Sequence, residues 1–381
     1  MKTPFYYYNT ALLKQTLNTI IKESGTYNNF FVHYAVKANA NPTILQIIQE
    51  SGIGVDCVSG GEIQASLNAG FVPEKIVFAG VGKTDYEIEL GLDKNILCFN
   101  VESQPELEVI NALAGKRNKV ANICFRVNPN VDAHTHDNIA TGKQENKFGI
   151  PARDLLRVIQ CANNMSNIKF KGLHFHIGSQ ILDMIDFRHL CSRINELVSE
   201  LKLNGINIDI INVGGGLGID YNKPENNPIP NFKDYFNIFA TYLNQEEHQE
   251  IHFELGRSVV GQCGQLITKV TYVKETGQKR FAIVDAGMTD LIRPALYHAH
   301  HEIRNLTNSK TPYYIYDVVG PICESSDVFD TDVSLPEIHR GDYLAILSAG
   351  AYGEIMASQY NCRTLPQGYV GEGKLDLAQI L

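Results

Sequence analysis

Short apolar runs alternate with longer amphipathic stretches from the start of the chain to about residue 256. Each run is rich in β-branched or aromatic residues and is bounded by glycine, asparagine or proline, which predicts a β-strand. Eight such strands are predicted at 33–39, 54–59, 75–80, 96–100, 121–128, 170–178, 208–216 and 250–256.

Amphipathic stretches with helical spacing separate these runs. Asn41 followed by Pro42 is a good helix start, and Gly70 is a good helix end. The predicted helices lie at 42–51, 61–69, 85–91, 103–114, 151–164, 184–204 and 231–245. Strands and helices in strict alternation predict an α/β protein with a (β/α)8 TIM barrel.

The pattern changes after about residue 265, where strand-like runs follow one another without a long helix. Two strands are predicted around a turn at Thr276 and Gly277, and PFYYYN at the N-terminus predicts another strand, followed by a helix over 11–24. We therefore expect a barrel over 26–262 and a β-rich domain formed by 1–25 and 263–381.

Composition limits the class of protein. The net charge of −9 over 381 residues argues against a nucleic-acid partner. No apolar run is long enough to span a membrane, and the N-terminus lacks the features of a signal peptide, so we expect a cytoplasmic protein. The eight cysteines contain no CxxC pair, so no metal site is expected, and most lie in apolar runs that predict buried thiols.

Candidate catalytic groups are the polar residues at the carboxyl ends of the barrel strands. Lys37 is unusual because it interrupts the apolar run AVKAN. It is either a lysine whose amine extends to solvent or a Schiff-base lysine, whose amine needs a lowered pKa and a fixed position.

Three further strand ends have two interpretations each. The glycines at 214–216 form either a tight turn or a phosphate cradle, and barrel phosphates commonly bind after strands 7 and 8. His176 is either a core histidine or a ring that stacks on a flat cofactor. Glu254 either pairs with Arg257 or holds a pyridine nitrogen in its protonated form.

Seven ordered motifs resemble the diaminopimelate decarboxylases, which are fold-type III pyridoxal-phosphate enzymes related to alanine racemase and eukaryotic ornithine decarboxylase. The resemblance covers essentially the whole chain. The motifs are AVKAN, HFHIGSQ, NVGGGLG, ELGRS, RPALY, CESSD and GAYG.

The resemblance implies a role for each matching residue. Lys37 would carry pyridoxal 5'-phosphate, His176 would stack on its ring, and Glu254 would pair with the ring nitrogen. The phosphate would be held by Ser179, Gly214, Gly215, Gly216 and the segment with Gly256 and Arg257. Substrate would be bound by Arg257, Arg293, Tyr297, Glu324 and Tyr352. A homodimer with shared active sites would supply Cys323, Glu324 and Tyr352 from the other subunit.

The implied reaction is the decarboxylation of meso-2,6-diaminopimelate to L-lysine, the last step of lysine biosynthesis. Arginine forks suit the distal carboxylate of that substrate, and a carboxylate suits its distal ammonium. Either Cys323 or Lys37 would return a proton to the α-carbon. Taken singly, these residues have ordinary explanations: Arg293 as a turn cap, Tyr297 in the core, Glu324 on the surface and Cys323 as a buried thiol.

Three other functions remain open at this point. One is a decarboxylase of the same fold that acts on carboxynorspermidine, ornithine or arginine. Another is a non-catalytic pyridoxal-phosphate homeostasis protein, which would lack the β-rich domain. A phosphosugar-binding barrel would leave Lys37 and Glu254 unexplained. The chain also departs from the family in two places, with Leu255 for the usual proline and Cys362 and Thr364 in the usual YNSRP.

Overall fold

The protein is described by a computed structural model that covers residues 1–129 and 147–375. Its strands are β1 (Phe5–Asn9), β2 (Phe30–Ala35), β3 (Gly54–Cys57), β4 (Ile76–Phe78), β5 (Cys98–Val101), β6 (Ala121–Asn128), β7 (Ile150–Pro151), β8 (Ile168–His174), β9 (Ile210–Asn212), β10 (Glu250–Leu255), β11 (Gly264–Thr276), β12 (Lys279–Val284), β13 (Ile303–Asn305), β14 (Tyr313–Val319), β15 (Val328–Pro336), β16 (Tyr343–Ile346) and β17 (Gln367–Gly371). Its helices are α1 (Thr10–Ser24), α2 (Pro42–Glu50), α3 (Gly60–Asn68), α4 (Asp85–Lys94), α5 (Gln104–Lys116), α6 (Leu155–Asn163), α7 (Met184–Leu203), α8 (Phe232–Tyr242), α9 (Arg257–Val260) and α10 (Arg293–Tyr297).

Eight parallel strands close into a barrel, which confirms the predicted fold class. The order is β5-β4-β3-β2-β10-β9-β8-β6, and β5 also pairs with β6 to complete the circle. β10 pairs with β2 through Ile251 opposite Phe30, and β5 pairs with β6 through Phe99 opposite Ile123. The two-residue β7, which the sequence pattern did not indicate, extends the edge of β6.

The barrel helices begin where short polar side chains can accept from free backbone N–H groups. Asn41 accepts from the N–H of Thr43 at the start of α2, and Ser103 accepts from that of Glu106 at the start of α5. Thr84 forms a reciprocal capping box with Glu87 at α4. These caps fix the loops that connect the carboxyl ends of the strands to the helices that follow them.

The β-rich sheet is a separate structure. Its main path is β13-β16-β11-β12-β14-β15, and β1 joins it by pairing with both β11 and β17. β11 and β12 form the predicted hairpin, whose turn contains Gly277 with φ of 59°. The N-terminal strand therefore belongs to this sheet, as predicted.

Contacts between residues divide the chain into two compact units. The barrel unit contains 17–218 and 231–256, and the β-rich unit contains 1–16, 219–230 and 257–381. Among the described residues, no helix is long and apolar enough to cross a membrane.

Candidate active site

A cavity of about 410 Å³ opens at the carboxyl end of the barrel strands. Its lining includes six side chains that could carry chemistry and that lie in β3, β6, β8 and β10 or shortly after β2 and β8: Lys37, Asp56, Arg126, His174, His176 and Glu254. The structure therefore brings together three residues singled out from the sequence, namely Lys37, His176 and Glu254.

Lys37 lies just outside the strand in which the sequence pattern placed it. β2 ends at Ala35, and Lys37 is the middle residue of a short 3-10 turn, so the expectation of a lysine inside the strand was wrong. The apolar strand therefore ends before the chain reaches the charged Lys37. The Lys37 side chain is 40% exposed, and its Nζ lies 3.8 Å from Oδ2 of Asp56.

Asp56 is a second carboxyl group in the cavity. It is 1% exposed, and neither of its oxygens has a hydrogen-bond partner among the described residues. Burial, together with the charge of Glu254, raises its pKa well above the ordinary value, although Lys37 opposes the shift. Its sequence signal is the same as that of Lys37, a charged residue inside an apolar run.

Glu254 is buried in the same cavity but is held by three donors from three other strands. Oε1 accepts from Nδ2 of Asn100 at 3.1 Å and from Nδ2 of Asn212 at 2.7 Å, and Oε2 lies 2.9 Å from Nε2 of His174. Burial acts to raise the pKa of Glu254, but His174 and Lys37 hold it well below its ordinary value. Glu254 is therefore an anion in a fixed position.

His176 is an uncharged ring at the cavity wall. Its Nδ1 accepts from the backbone N–H of Gly215 at 3.3 Å, which places the ring proton on Nε2. Burial and the charge of Lys37 lower its pKa well below the ordinary value, so the ring stays neutral.

The glycines after β9 are required by close packing. A side chain on Gly215 would meet the carbonyl oxygen of Glu254 at 1.8 Å, and Gly214 has φ of 72°. Ser179 lies five residues after the end of β8, and Gly256 directly follows β10. All of these residues therefore lie at the same end of the barrel as the cavity.

Arg126 in β6 adds a cation to the cavity wall. Its Nη1 donates to Oε1 of Glu102 at 3.1 Å, and its guanidinium lies 4.5 Å from the ring centre of Phe148. Glu102 also accepts from the N–H groups of Gly80 and Gly149. Arg126 is thereby fixed at the cavity wall.

Two predicted substrate-binding arginines lie together in the β-rich unit. The Arg257 guanidinium donates to the hydroxyl of Tyr221 at 2.7 Å and lies 4.8 Å from the ring centre of Tyr352. The Arg293 guanidinium lies 4.7 Å from the ring centre of the same Tyr221. Both arginines are buried, and burial lowers the pKa of Arg293.

Two details of this cluster bear on the sequence expectations. The ring of Tyr352 lies against the guanidinium of Arg257 of its own chain. Tyr297 is half-buried rather than in the core, and its hydroxyl raises the pKa of the nearby Arg257.

Cys323 and Glu324 are exposed, so the interpretation of Cys323 as a buried thiol was wrong. The backbone N–H of Cys323 donates to Oδ1 of Asn361 at 3.2 Å, and the hydroxyl of Tyr360 donates to Oε1 of Glu324 at 2.7 Å. These two bonds connect Cys323 and Glu324 to the turn that contains Tyr360 and Asn361. Within the described part of the chain, no hydrogen bond connects either residue to the arginine cluster.

In residues 1–129 and 147–375, no group of three or more histidine, cysteine, aspartate and glutamate side chains could hold a metal ion. The cavity instead combines a lysine amine, a fixed carboxylate and a neutral imidazole. This donor set suits an organic ring that carries an electrophilic carbon and a basic nitrogen.

Comparisons with known proteins identify the family. Residues 13–261 match the family described as pyridoxal-dependent decarboxylase, pyridoxal binding domain. The chain is 62% identical to the diaminopimelate decarboxylase of Bacteroides thetaiotaomicron over 98% of its own length and 96% of that protein.

Solved structures give the same answer. The crystal structure of diaminopimelate decarboxylase from Helicobacter pylori complexed with L-lysine is 42% identical, with a TM-score of 0.92 over 98% of this chain and 93% of that one. The enzyme from M. jannaschii in complex with L-lysine is 38% identical, with a TM-score of 0.89 over 97% of this chain and 87% of that one. The chain therefore belongs to the pyridoxal-dependent decarboxylase family and, within it, to the diaminopimelate decarboxylases.

Proposed function

We propose that this enzyme decarboxylates meso-2,6-diaminopimelate to L-lysine in the cytoplasm, with pyridoxal 5'-phosphate as its cofactor. The observation that carries the proposal is the barrel cavity, where Lys37 faces a buried carboxyl and Glu254 is fixed as an anion. High identity to decarboxylases of this substrate supports it over carboxynorspermidine, ornithine or arginine. The β-rich unit argues against a pyridoxal-phosphate homeostasis protein.

The cavity suits the cofactor in three ways. Lys37 supplies an amine for the aldehyde, the neutral ring of His176 supplies a flat face, and Glu254 still has acceptor capacity beyond its three donors. We assign phosphate binding to Ser179, Gly214, Gly215, Gly216, Gly256 and the adjoining Arg257. When bound, the cofactor withdraws electrons from the substrate α-carbon, so that a carboxylate can leave as carbon dioxide.

Glu254 determines how strongly electrons are withdrawn from the α-carbon of the substrate. An anion against the ring nitrogen favours its protonated form, and the three donors keep the anion from moving or taking up a proton. A cationic side chain at this position would weaken the effect. Glu254 therefore favours decarboxylation.

Lys37 and Asp56 can share a proton. Their atoms Nζ and Oδ2 lie 3.8 Å apart, and burial disfavours the separated charges. A protonated Asp56 no longer favours the ammonium form of Lys37, and the free amine is the form that binds an aldehyde. Asp56 can also give the proton back to the amine of Lys37.

The arginine cluster is proposed to bind the carboxylate at the distal end of the substrate. Arg257 and Arg293 each present a planar fork that matches a carboxylate, and the aromatic rings of Tyr221 and Tyr352 keep the forks in place. Tyr297 would line this site, and Glu324 would bind the distal ammonium. Either Cys323 or Lys37 would protonate the product.

We also propose a homodimer with shared active sites. Cys323 and Glu324 are exposed in the single chain, yet their proposed roles require contact with substrate. A second copy that lends these residues would satisfy both conditions.

The direct test offers meso-diaminopimelate, ornithine and carboxynorspermidine to the purified holoenzyme and measures carbon dioxide. Diaminopimelate should be the substrate by a wide margin. Borohydride should fix the cofactor to the wild type but not to Lys37→Ala, while Lys171→Ala, which removes a surface lysine paired with Asp209, should label normally. Label on Lys37→Ala, or faster release of carbon dioxide from ornithine, would reject the proposal.

A further inference from the structure

Arg293 is connected through one histidine to the backbone of Leu347, the residue that follows β16. Its Nη1 lies 2.8 Å from Nε2 of His301, and Nδ1 of His301 lies 2.8 Å from the carbonyl oxygen of Leu347. Arg293 is 4% exposed and His301 is 1% exposed, so water competes little with either bond.

The two bonds fix the protonation state of His301. A carbonyl oxygen only accepts, so Nδ1 must carry the proton that Leu347 receives. A guanidinium only donates, so Nε2 must offer its lone pair to Arg293. His301 is therefore neutral, in one tautomer, and aimed at one guanidinium nitrogen.

Tyr221 contacts both arginines from a second side. Its hydroxyl accepts from Arg257, while its ring lies under Arg293 and meets the ring of His301 edge-on at 4.9 Å. Nε of Arg293 is buried and has no hydrogen-bond partner within residues 1–129 and 147–375. In the same ranges no carboxylate lies within 4.0 Å of Arg293. The cation is thus oriented by neutral groups and keeps donor capacity.

We propose that His301 is a positioning residue that sets affinity for ligands with a carboxylate, because it holds Arg293 in the orientation that receives one, and that Tyr221 positions Arg257 in the same way. This inference rests on the proposed function, since it takes the arginine cluster as the carboxylate site. A neutral acceptor suits this purpose: a carboxylate in its place would neutralise Arg293 and compete with the ligand.

The test compares two uncharged substitutions. The glutamine amide in His301→Gln extends about as far as Nε2 and can still accept from Arg293, whereas the shorter amide in His301→Asn can reach only the Leu347 carbonyl. The probes are L-lysine, which has a carboxylate, and 1,5-diaminopentane, which is L-lysine without it. Binding to the holoenzyme is followed by the change in cofactor absorbance.

His301→Asn should weaken L-lysine binding about 10- to 100-fold and 1,5-diaminopentane binding less than about twofold, because one hydrogen bond to a charged group is lost. His301→Gln should restore most of the lysine affinity. KM for diaminopimelate should follow the same order, while kcat stays within a few fold. Tyr221→Phe, which keeps the ring and removes the bond to Arg257, should also weaken lysine binding selectively.

Equal affinities of the Asn and Gln variants for L-lysine would overturn the inference, as would equal losses for both probes. These outcomes differ from failure of the proposed function, in which the wild-type enzyme itself would release no carbon dioxide from diaminopimelate. Thermal unfolding of each variant guards against misfolding. If His301→Asn does not fold, Tyr221→Phe still decides whether neutral partners of the arginines control carboxylate affinity.

Discussion

Two carboxyl groups in one cavity have opposite pKa shifts: burial and the charge of Glu254 raise the pKa of Asp56, whereas His174 and Lys37 lower that of Glu254 in spite of burial. Glu254 accepts from three side chains and stays ionised, whereas Asp56 has no donor in the described chain and favours its protonated form. Groups driven apart in this way divide acid and base functions between them. Here the fixed anion serves the cofactor ring, and the protonated acid serves Lys37.

Asp56→Asn should therefore raise stability and lower activity. The folded pKa of Asp56 lies above its unfolded value, so its ionisation destabilises the fold increasingly as pH rises above about 4. The variant should unfold at a higher temperature than the wild-type apoprotein at pH 7 to 8, with no gain at pH 4. Release of carbon dioxide should fall at least about tenfold, because Lys37 loses its proton partner.

Asp209→Asn is the matched control, since it removes the same charge from an exposed residue paired with Lys171. It should change neither activity nor the pH profile of unfolding appreciably. If Asp56→Asn is less stable than the wild type at pH 8, the assignment of Asp56 as a protonated buried acid is wrong.

At the scale of elements, the barrel could be predicted because each strand is an apolar run bounded by glycine, asparagine or proline. Strands buried on both faces give continuous hydrophobic runs, and the helices between them have a separate period. Lys37 was placed in a strand because the run continues through it, whereas the chain turns at Val36. The two-residue β7 has no such run and could not be found.

The site was predictable where a single strand end carries the signal, and not where function depends on partners from distant strands. Lys37 and Glu254 stand out locally. Asn100 and Asn212 matter only because β5 and β9 bring them to Glu254, and no local pattern reports this. Tyr221 and His301 are likewise far apart in sequence and meet through folding.

Gly172→Ala should show how tightly the barrel strands depend on close backbone approach. A side chain at Gly172 in β8 would lie 1.8 Å from the carbonyl oxygen of Ile210 in β9. Neither strand can move without breaking a closed ring of hydrogen bonds, so we expect a loss of about 3 kcal/mol or more in the free energy of unfolding. Circular dichroism during thermal or urea unfolding measures this loss.

Gly61→Ala provides the contrast at an exposed position in helix α3. The nearest atom to an added side chain there is Oγ of Ser59 at 3.7 Å, so nothing needs to move. This change should stabilise the protein by about 0.5 to 1 kcal/mol, because alanine favours helix more than glycine does. A neutral Gly172→Ala would contradict the view that β8 and β9 are held in close contact.

At the scale of the whole molecule, the chemistry is divided between two units. The barrel unit carries Lys37, Asp56 and Glu254, and the β-rich unit carries the arginines together with Cys323 and Glu324. Asp56, Glu254 and the two arginines are buried, whereas Cys323 and Glu324 are exposed. The proposed roles of Cys323 and Glu324 require contact with substrate. A second surface must therefore cover these exposed residues.

The proposed homodimer can be tested by mixing two inactive variants. Lys37→Ala removes cofactor attachment, and Cys323→Ala removes the exposed thiol. If Cys323 acts in the site of the other subunit, a mixed dimer contains one site with both defects and one intact site. Random mixing at equal concentration makes half of the dimers mixed, so activity should recover to about a quarter of the wild-type value.

Co-expression with two affinity tags isolates mixed dimers, whose activity should then reach about half of the wild-type value. Isolated mixed dimers that remain as inactive as the parents would mean that Cys323 serves its own chain, because each site would then carry one of the two defects.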